Sequence, residues 1–219
     1  MPLELKTQSV GEALIVSLRE RILTDDIPAG RPVTEASVSS DYGVARQTAK
    51  AAIEHLVAEG LLQRTAHRSA RVPILDESQV KDLYFARRFL ESHAYGLLAR
   101  DRRLAHTVVT AHETFKRAAN EGDVVTVVEA DIRLHTCLVG SLGSPHLDRA
   151  HCLVVNEMRL CLAQVQSHHL LDPVEIHAEH DAILKAIVDG DANRAAQLGD
   201  QHLDHAERRL LEHLATRER

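Results

Sequence analysis

Tryptophan is absent from this chain of 219 residues and aromatic residues make up only 3% of it, so the core must be built from leucine, valine, isoleucine and alanine. That composition favours packed helices over an aromatic-rich β-sandwich. Cysteine is almost as scarce. Cys137, Cys152 and Cys161 are odd in number and form no CxxC pair, so they read as reduced thiols rather than a disulfide framework. No stretch approaches the roughly 18 consecutive apolar residues of a membrane span, and no apolar run near the N-terminus resembles a signal peptide. A soluble, cytoplasmic protein with no membrane partner is therefore expected. No repeat with a period of about 30–45 residues is present, which argues against a solenoid.

A chain of this length has room for one large or two small domains with real cores. Its formal charge of −6 is unevenly placed. Residues 1–75 hold nine Lys/Arg and nine Asp/Glu, and the whole excess of acid falls in the remainder. A neutral segment can still carry a basic face, and local charge is what meets phosphate, so the net charge does not exclude nucleic acid.

Val10, Leu14, Leu18 and Ile22 recur at helical steps behind Ser9, a plausible N-cap, and predict an amphipathic helix over 9–24. DDIPAGRPV then reads as a loop. A short helix follows Thr34 and stops at Gly43, and a second runs from about Ala45 to Glu59 with Gly60 behind it. Helix, glycine turn and helix make a helix-turn-helix. LLQRT and SARVPIL, two strand-like segments joined by a polar tip, then read as a wing. At Asp76 the pattern becomes helical throughout, with segments expected at 77–99, 101–120, 123–140, 144–168, 172–189 and 191–216. The expected fold is mainly α: a winged helix-turn-helix over 1–75 and an all-α bundle of about six helices over 76–219.

In the helix-turn-helix mode the first residues of the second helix face base edges. Here they are Arg46, Gln47 and Thr48, with Lys50 one turn on. Arginine pairs bidentately with guanine, glutamine with adenine, and a lysine can hold a phosphate. The wing adds Arg64, His67 and Arg68. Solvated charges on an ordinary helical hairpin would look similar, but the order helix, turn, helix, hairpin is more specific to DNA binding.

Thirteen of the 15 histidines lie beyond residue 75. Asp131 and His135 are four apart on one helix face. His180 and His202 sit in the last two helical segments beside the apolar residues Ile183, Ile187, Leu198 and Leu203. One carboxylate and three imidazoles from three helices could converge on a divalent transition metal, with positions left open for water or a ligand. His177 and His205, each three residues from one of these, compete for the same assignment. The other histidines read as surface or satisfied core residues.

These residues resemble a known family. VGEALIVSLRERILTDDIPAGRPVTEASVSSDYGVARQTAKAAIEHLVAEGLLQR is similar to the DNA-binding domain of GntR-type regulators. The remainder resembles the FCD sensor domain of the FadR subfamily: LYFARRFLES at its opening helix, with Arg87 and Glu91 at recurrent positions, then ADIRLH, EHDAILKAIVDGD and QHLDH. The resemblance implies a homodimer on a palindromic operator in double-stranded DNA, acting as a repressor and not as an enzyme. It also implies a metal on Asp131, His135, His180 and His202, with a small organic acid as effector beside it. Arg87 would meet the effector carboxylate through a bidentate pair. Zinc is the expected ion, with nickel, manganese or iron also suited to the donor set. Three departures point to an altered operator or to weaker binding: Ala45 lacks the usual hydroxyl, Lys50 replaces a usual arginine, and the wing tip AHRSAR lacks a glycine. Two rivals remain, a regulator for which the metal is itself the signal and a metal-dependent hydrolase.

Overall fold

The computed structural model describes residues 9–65, 68–102, 104–165 and 172–217. The chain divides into two compact units, Met1–Ile74 and Leu75–Arg219.

In the first unit α1 (Val10–Leu23) opens on a capping box. The Glu12 N–H donates to the Ser9 hydroxyl and the Ser9 N–H donates back to the Glu12 carboxylate. Leu14, Leu18 and Ile22 of the expected stripe are buried, while Val10, in the first turn, is exposed. Next come β1 (Pro32–Val33), α2 (Glu35–Tyr42), α3 (Arg46–Ala58) and β2 (Ala70–Arg71). Gly43 ends α2 with φ of 64°, a left-handed turn that glycine adopts without the Cβ penalty. α3 turns Ala49, Ala52, Ile53 and Leu56 inward, and the bidentate pair of Arg19 with Glu59 (2.8–3.2 Å) fixes the end of α3 to α1.

The wing differs from a simple hairpin. Gln63 and Arg71 exchange backbone hydrogen bonds of 2.8 and 2.9 Å, as the LLQRT and SARVPIL pairing predicts. The ladder continues, however, between β2 and β1, antiparallel with Val33 opposite Ala70. β1 lies in the segment read as loop, where prolines and a glycine mask two extended residues. Val33 and Ala70 are both buried, and that shared burial explains the pairing.

The second unit is helical throughout its described residues. α4 (Glu77–Arg87) passes through a π-helical turn (Arg88–Ser92) into α5 (His93–Asp101), so the helix expected at 77–99 is one rod with a bulge. α6 (His106–Glu121) starts five residues later than expected, because Arg102 closes α5 in a left-handed conformation, φ 52°. α7 (Val124–Gly140), α8 (Pro145–Val165), α9 (Pro173–Asp189) and α10 (Ala192–Arg217) follow. Counting the bulged rod once gives six helical rods among the described residues. One apolar cluster joins α5, α6, α7, α9 and α10 around Tyr95, Leu134, Ile183 and Ile187. Another joins α4, α7, α8 and α10 around Val80, Tyr84, Val155 and Leu203. Among the described residues no helix is long and apolar enough to cross a membrane.

Candidate functional site

On α3, Arg46 and Gln47 are exposed in the first turn, while Thr48 and Lys50 are half-exposed. The buried stripe behind them fixes which way they face, since it commits the opposite side of the helix to the core. Lys50 lies 3.8 Å from Glu54 one turn on. Arg64 and Arg68 are exposed on the wing; His67 lies outside the described residues. Ala45, in N-cap position, supplies no side-chain hydrogen bond to the start of α3. The first-turn N–H groups of α3 are therefore left for another acceptor.

The second unit brings Asp131 and His135 of α7, His180 of α9 and His202 of α10 together, with one donor atom of each within 4.8 Å of the others. Nε2 of His180 lies 3.4 Å from Oδ1 of Asp131, Nε2 of His135 lies 3.7 Å from the same oxygen, and Nε2 of His202 lies 3.3 Å from Nε2 of His135. The three imidazoles are buried, and neither Oδ1 of Asp131 nor either nitrogen of His180 has a hydrogen-bond partner in the described structure. Buried polar atoms are normally satisfied, so Oδ1 of Asp131 and Nε2 of His180, both orphaned where the donors converge, fit the contacts a cation would supply.

Two carboxylates act behind these donors. Oε2 of Glu91, in the π-helical turn, pairs with Nδ1 of His135 at 2.6 Å, a nitrogen that also hydrogen-bonds the Tyr95 hydroxyl at 2.8 Å, and Glu179 accepts from Nδ1 of His202 at 2.7 Å. Each bond holds the Nδ1 proton outward and leaves the Nε2 lone pair facing the cluster. When both rings are neutral, two such lone pairs 3.3 Å apart repel, and either a proton on Nε2 of His135 or a cation between the rings relieves this. Glu91 carries more than His135. It also accepts from Nε (2.8 Å) and Nη2 (3.3 Å) of Arg87, from the Tyr95 hydroxyl (3.1 Å) and from Nε2 of His151 (3.2 Å). Tyr95 reaches this position by crossing α10 at Gly199, where a Cβ would fall 2.7 Å from its ring.

Burial opposes charge throughout this cluster, and the ion pairs decide the outcome. Burial raises the Glu91 carboxyl, but Arg87 and then His135 hold it well below the ordinary range. Burial lowers the His135 imidazolium, but Glu91 and then Asp131 raise it to about 9. His180 has no such support, and burial holds it well below its ordinary value. His202 is likewise lowered by burial, against the opposing bond to Glu179. Without a metal, then, the cluster holds one imidazolium and two neutral imidazoles at neutral pH.

Arg87 lines a cavity of about 20 Å³ with Tyr84, Asp131, Glu179, His202 and Arg209. Its fork is already engaged by Glu91, and its guanidinium stands 5.3 Å from the Tyr84 ring centroid. Arg209, paired with Glu175, is a second cation on this cavity that the sequence reading did not single out. Nor did that reading single out Glu179, His151 or Tyr95, or give Glu91 a role.

Residues 82–205 match the FCD domain family, and residues 10–72 match the bacterial regulatory proteins of the gntR family. The chain is 28% identical over 178 residues to a probable D-xylose utilization operon transcriptional repressor of Paenarthrobacter nicotinovorans, covering 81% of this chain and 78% of that one. It is 26% identical over 197 residues to the HTH-type transcriptional repressor GlaR of Escherichia coli K12, covering 85% and 89%. A GntR transcriptional regulator from Rhodococcus sp. RHA1 has the same fold, with a TM-score of 0.79 at 23% identity over 94% of this chain and 99% of that one. Escherichia coli McbR/YncC follows at 0.75 and 15% identity, over 94% and 99%. The family and these relatives are transcriptional regulators, not enzymes.

Proposed function

The chain belongs to the gntR family of bacterial regulatory proteins, in the branch that carries an FCD domain, and we propose that it is a cytoplasmic repressor whose operator affinity is set by a small organic acid bound beside a metal in the second unit. The convergence of Asp131, His135, His180 and His202 on one point, with Oδ1 of Asp131 and Nε2 of His180 buried and unpartnered, carries this reading. Three imidazoles and a carboxylate suit zinc, and also nickel, manganese or iron. A bound ion of this class would offer open coordination positions to an incoming carboxylate.

The chain's own residues supply the rest. Arg46 and Gln47 read base edges, Thr48 and Lys50 hold phosphate, and Arg64 and Arg68 extend the contact along the backbone. The uncapped N–H groups behind Ala45 add a further phosphate site. A homodimer on a palindrome is supported by Phe85 and Phe89, two of the three phenylalanines, which are 66% and 74% exposed on the bulged rod. Apolar surface of that kind is what a second copy would cover.

The cavity beside Asp131 and His202, about 20 Å³, has room for about one water and not for an organic acid. Effector binding must therefore open it, and Arg209 and Arg87 are the cations that could exchange Glu175 and Glu91 for the effector carboxylate. Opening moves α4, α9 and α10 relative to one another. That is the kind of shift able to alter the spacing of two DNA-binding heads, with a coupling of about 1–3 kcal/mol, or roughly 5- to 150-fold in affinity.

The test is a thermal-shift screen of small carboxylic acids on metal-loaded and chelator-treated protein, combined with metal analysis of His180→Gln/His202→Gln. A ligand of the folded state raises its apparent stability. The expected result is an acid that stabilises only the loaded wild type, and a tight ion that the double variant loses. Tight metal surviving in that variant overturns the site. The small cavity also favours a second reading, in which the ion itself is the signal; operator affinity that tracks free zinc with no acid present would establish it.

A further inference from the structure

A second group of ligating side chains lies on the other side of His180, built from α6 and α9. His112 is 9% exposed, and its Nε2 lies 3.3 Å from Oδ1 of Asp181. Nδ1 of His177 lies 3.3 Å from the other oxygen of the same carboxylate. His177 and Asp181 are four residues apart on one face of α9. The two imidazoles stack with centroids 4.8 Å apart, and the Phe115 ring lies parallel to His177 with centroids 6.4 Å apart.

The simplest account is a carboxylate accepting hydrogen bonds from two histidines, and the geometry argues against it. Neither 3.3 Å approach has hydrogen-bond alignment, and Nε2 of His112 is buried with no hydrogen-bond partner. Glu179, a few residues away, shows what true imidazole–carboxylate bonds look like in this protein: 2.7 Å to His202 and 2.6 Å to His205, both aligned. With both oxygens so engaged, Glu179 is no open ligand, which removes its own cluster from consideration. Separations of 3.3 Å off the N–H axis are what ligands show around a shared ion. Bonds of about 2.0–2.1 Å in a tetrahedron put neighbouring donors about 3.3–3.4 Å apart. The same spacing recurs between His180 and Asp131, where donors are also buried and unpartnered.

We propose that His112, His177 and Asp181 form a second divalent-cation site, weaker than the Asp131 cluster and open to solvent, that takes a borderline ion such as zinc or nickel. Asp181 is 58% exposed, so an ion can enter directly from water, and the remaining coordination positions go to water. Burial lowers the His112 imidazolium against the opposing Asp181 charge, so this ligand is neutral and competent at neutral pH. An ion here fastens α6 to α9. Because His177, His180 and Asp181 share α9, its occupancy bears on the helix that also carries a donor of the first cluster.

Tag-free full-length protein is stripped with chelator and titrated with zinc alone, counting ions per chain by equilibrium dialysis and elemental analysis. Asp181→Asn changes an exposed atom and leaves the fold intact; His112→Gln tests the same site from the other helix. Each is expected to bind one ion per chain fewer than wild type, lost from the weaker class. His106→Gln, an exposed histidine of the same helix, is expected to bind as many as wild type. Asp131→Asn is expected to lose the tight class and keep the weaker one, so a failure of the first site and a failure of this one are read separately. Wild-type counts in both Asp181→Asn and His112→Gln, or an equal loss in His106→Gln, would overturn the proposal.

Discussion

Glu91→Gln should damage this protein more than its isosteric shape suggests. The carboxylate is fully buried and receives five donor atoms from Arg87, Tyr95, His135 and His151. Glutamine replaces one acceptor oxygen with an NH₂ that faces some of those donors, and it leaves the guanidinium of Arg87 buried without a counter-charge. Breaking a buried pair by removing one partner costs about 3–5 kcal/mol. For a unit of this size each kcal/mol is worth about 2–4 °C in Tm, so a fall of roughly 6–20 °C is expected in chelated protein. The same change removes the carboxylate that orients His135, which should weaken metal binding at the proposed site about 10- to 100-fold. Calorimetric melting with and without chelator measures the first effect, and competition against a fluorescent chelator the second. Arg87→Met combined with Glu91→Gln should recover part of the lost stability, since no unpaired buried charge remains. A Tm for Glu91→Gln within a degree or two of wild type would refute the reasoning, as would strict additivity in the double variant.

Three further outcomes follow from particular residues. Ala45→Ser places a hydroxyl at an N-cap with extended geometry and no existing cap bond, and should stabilise the first unit by about 0.5–2 kcal/mol, read as a rise in the melting of that unit; no rise would mean the cap geometry is not retained in solution. Gly199→Ala would drive a methyl to 2.7 Å from the Tyr95 ring, and should cost about 1–3 kcal/mol in thermal denaturation, whereas an unchanged Tm would show that α5 and α10 are free to separate. The raised His135 imidazolium implies that metal uptake near neutral pH releases about one proton, so the calorimetric binding heat should vary with the ionisation enthalpy of the buffer; a buffer-independent heat contradicts it. In the metal-free protein the same charge adds stability that is complete below its ordinary value of 6.5 and is lost as pH rises through about 9.

Period and punctuation made most of the helices legible. Leu14, Leu18 and Ile22 at steps of four predict the buried face of α1, and the EGD and DGD boundaries predict where α6 and α9 stop. What pattern could not register was structure two residues long or off the 3.6 period. β1 is hidden among prolines because its extended state is set by Val33 packing near Ala70, a partner far away in sequence. The π-helical turn is hidden because its cause is a tertiary one. The extra residue lets Arg87, Glu91 and Tyr95 keep to one buried face through the change of helical pitch.

The candidate site divides along the same line. Donor types at helical spacing point to Asp131, His135, His180 and His202, because a ligand must be one of few residue types and must face the core. The residues that orient those donors obey no such restriction: any carboxylate that three-dimensional packing brings to an Nδ1 will serve. Glu91 reaches His135 from another helix, and Glu179 reaches His202 from a neighbouring one, so neither has a fixed offset from the residue it holds. His177 makes the point from the other side. On spacing alone it competes with His180 for one site, since three residues on a helix place two side chains nearly in register. Nearly in register is still about 60° apart around the helix axis. On a helix packed against α6 on one side and facing α7 and α10 on another, that angle is enough to send His180 to the Asp131 cluster and His177 to His112.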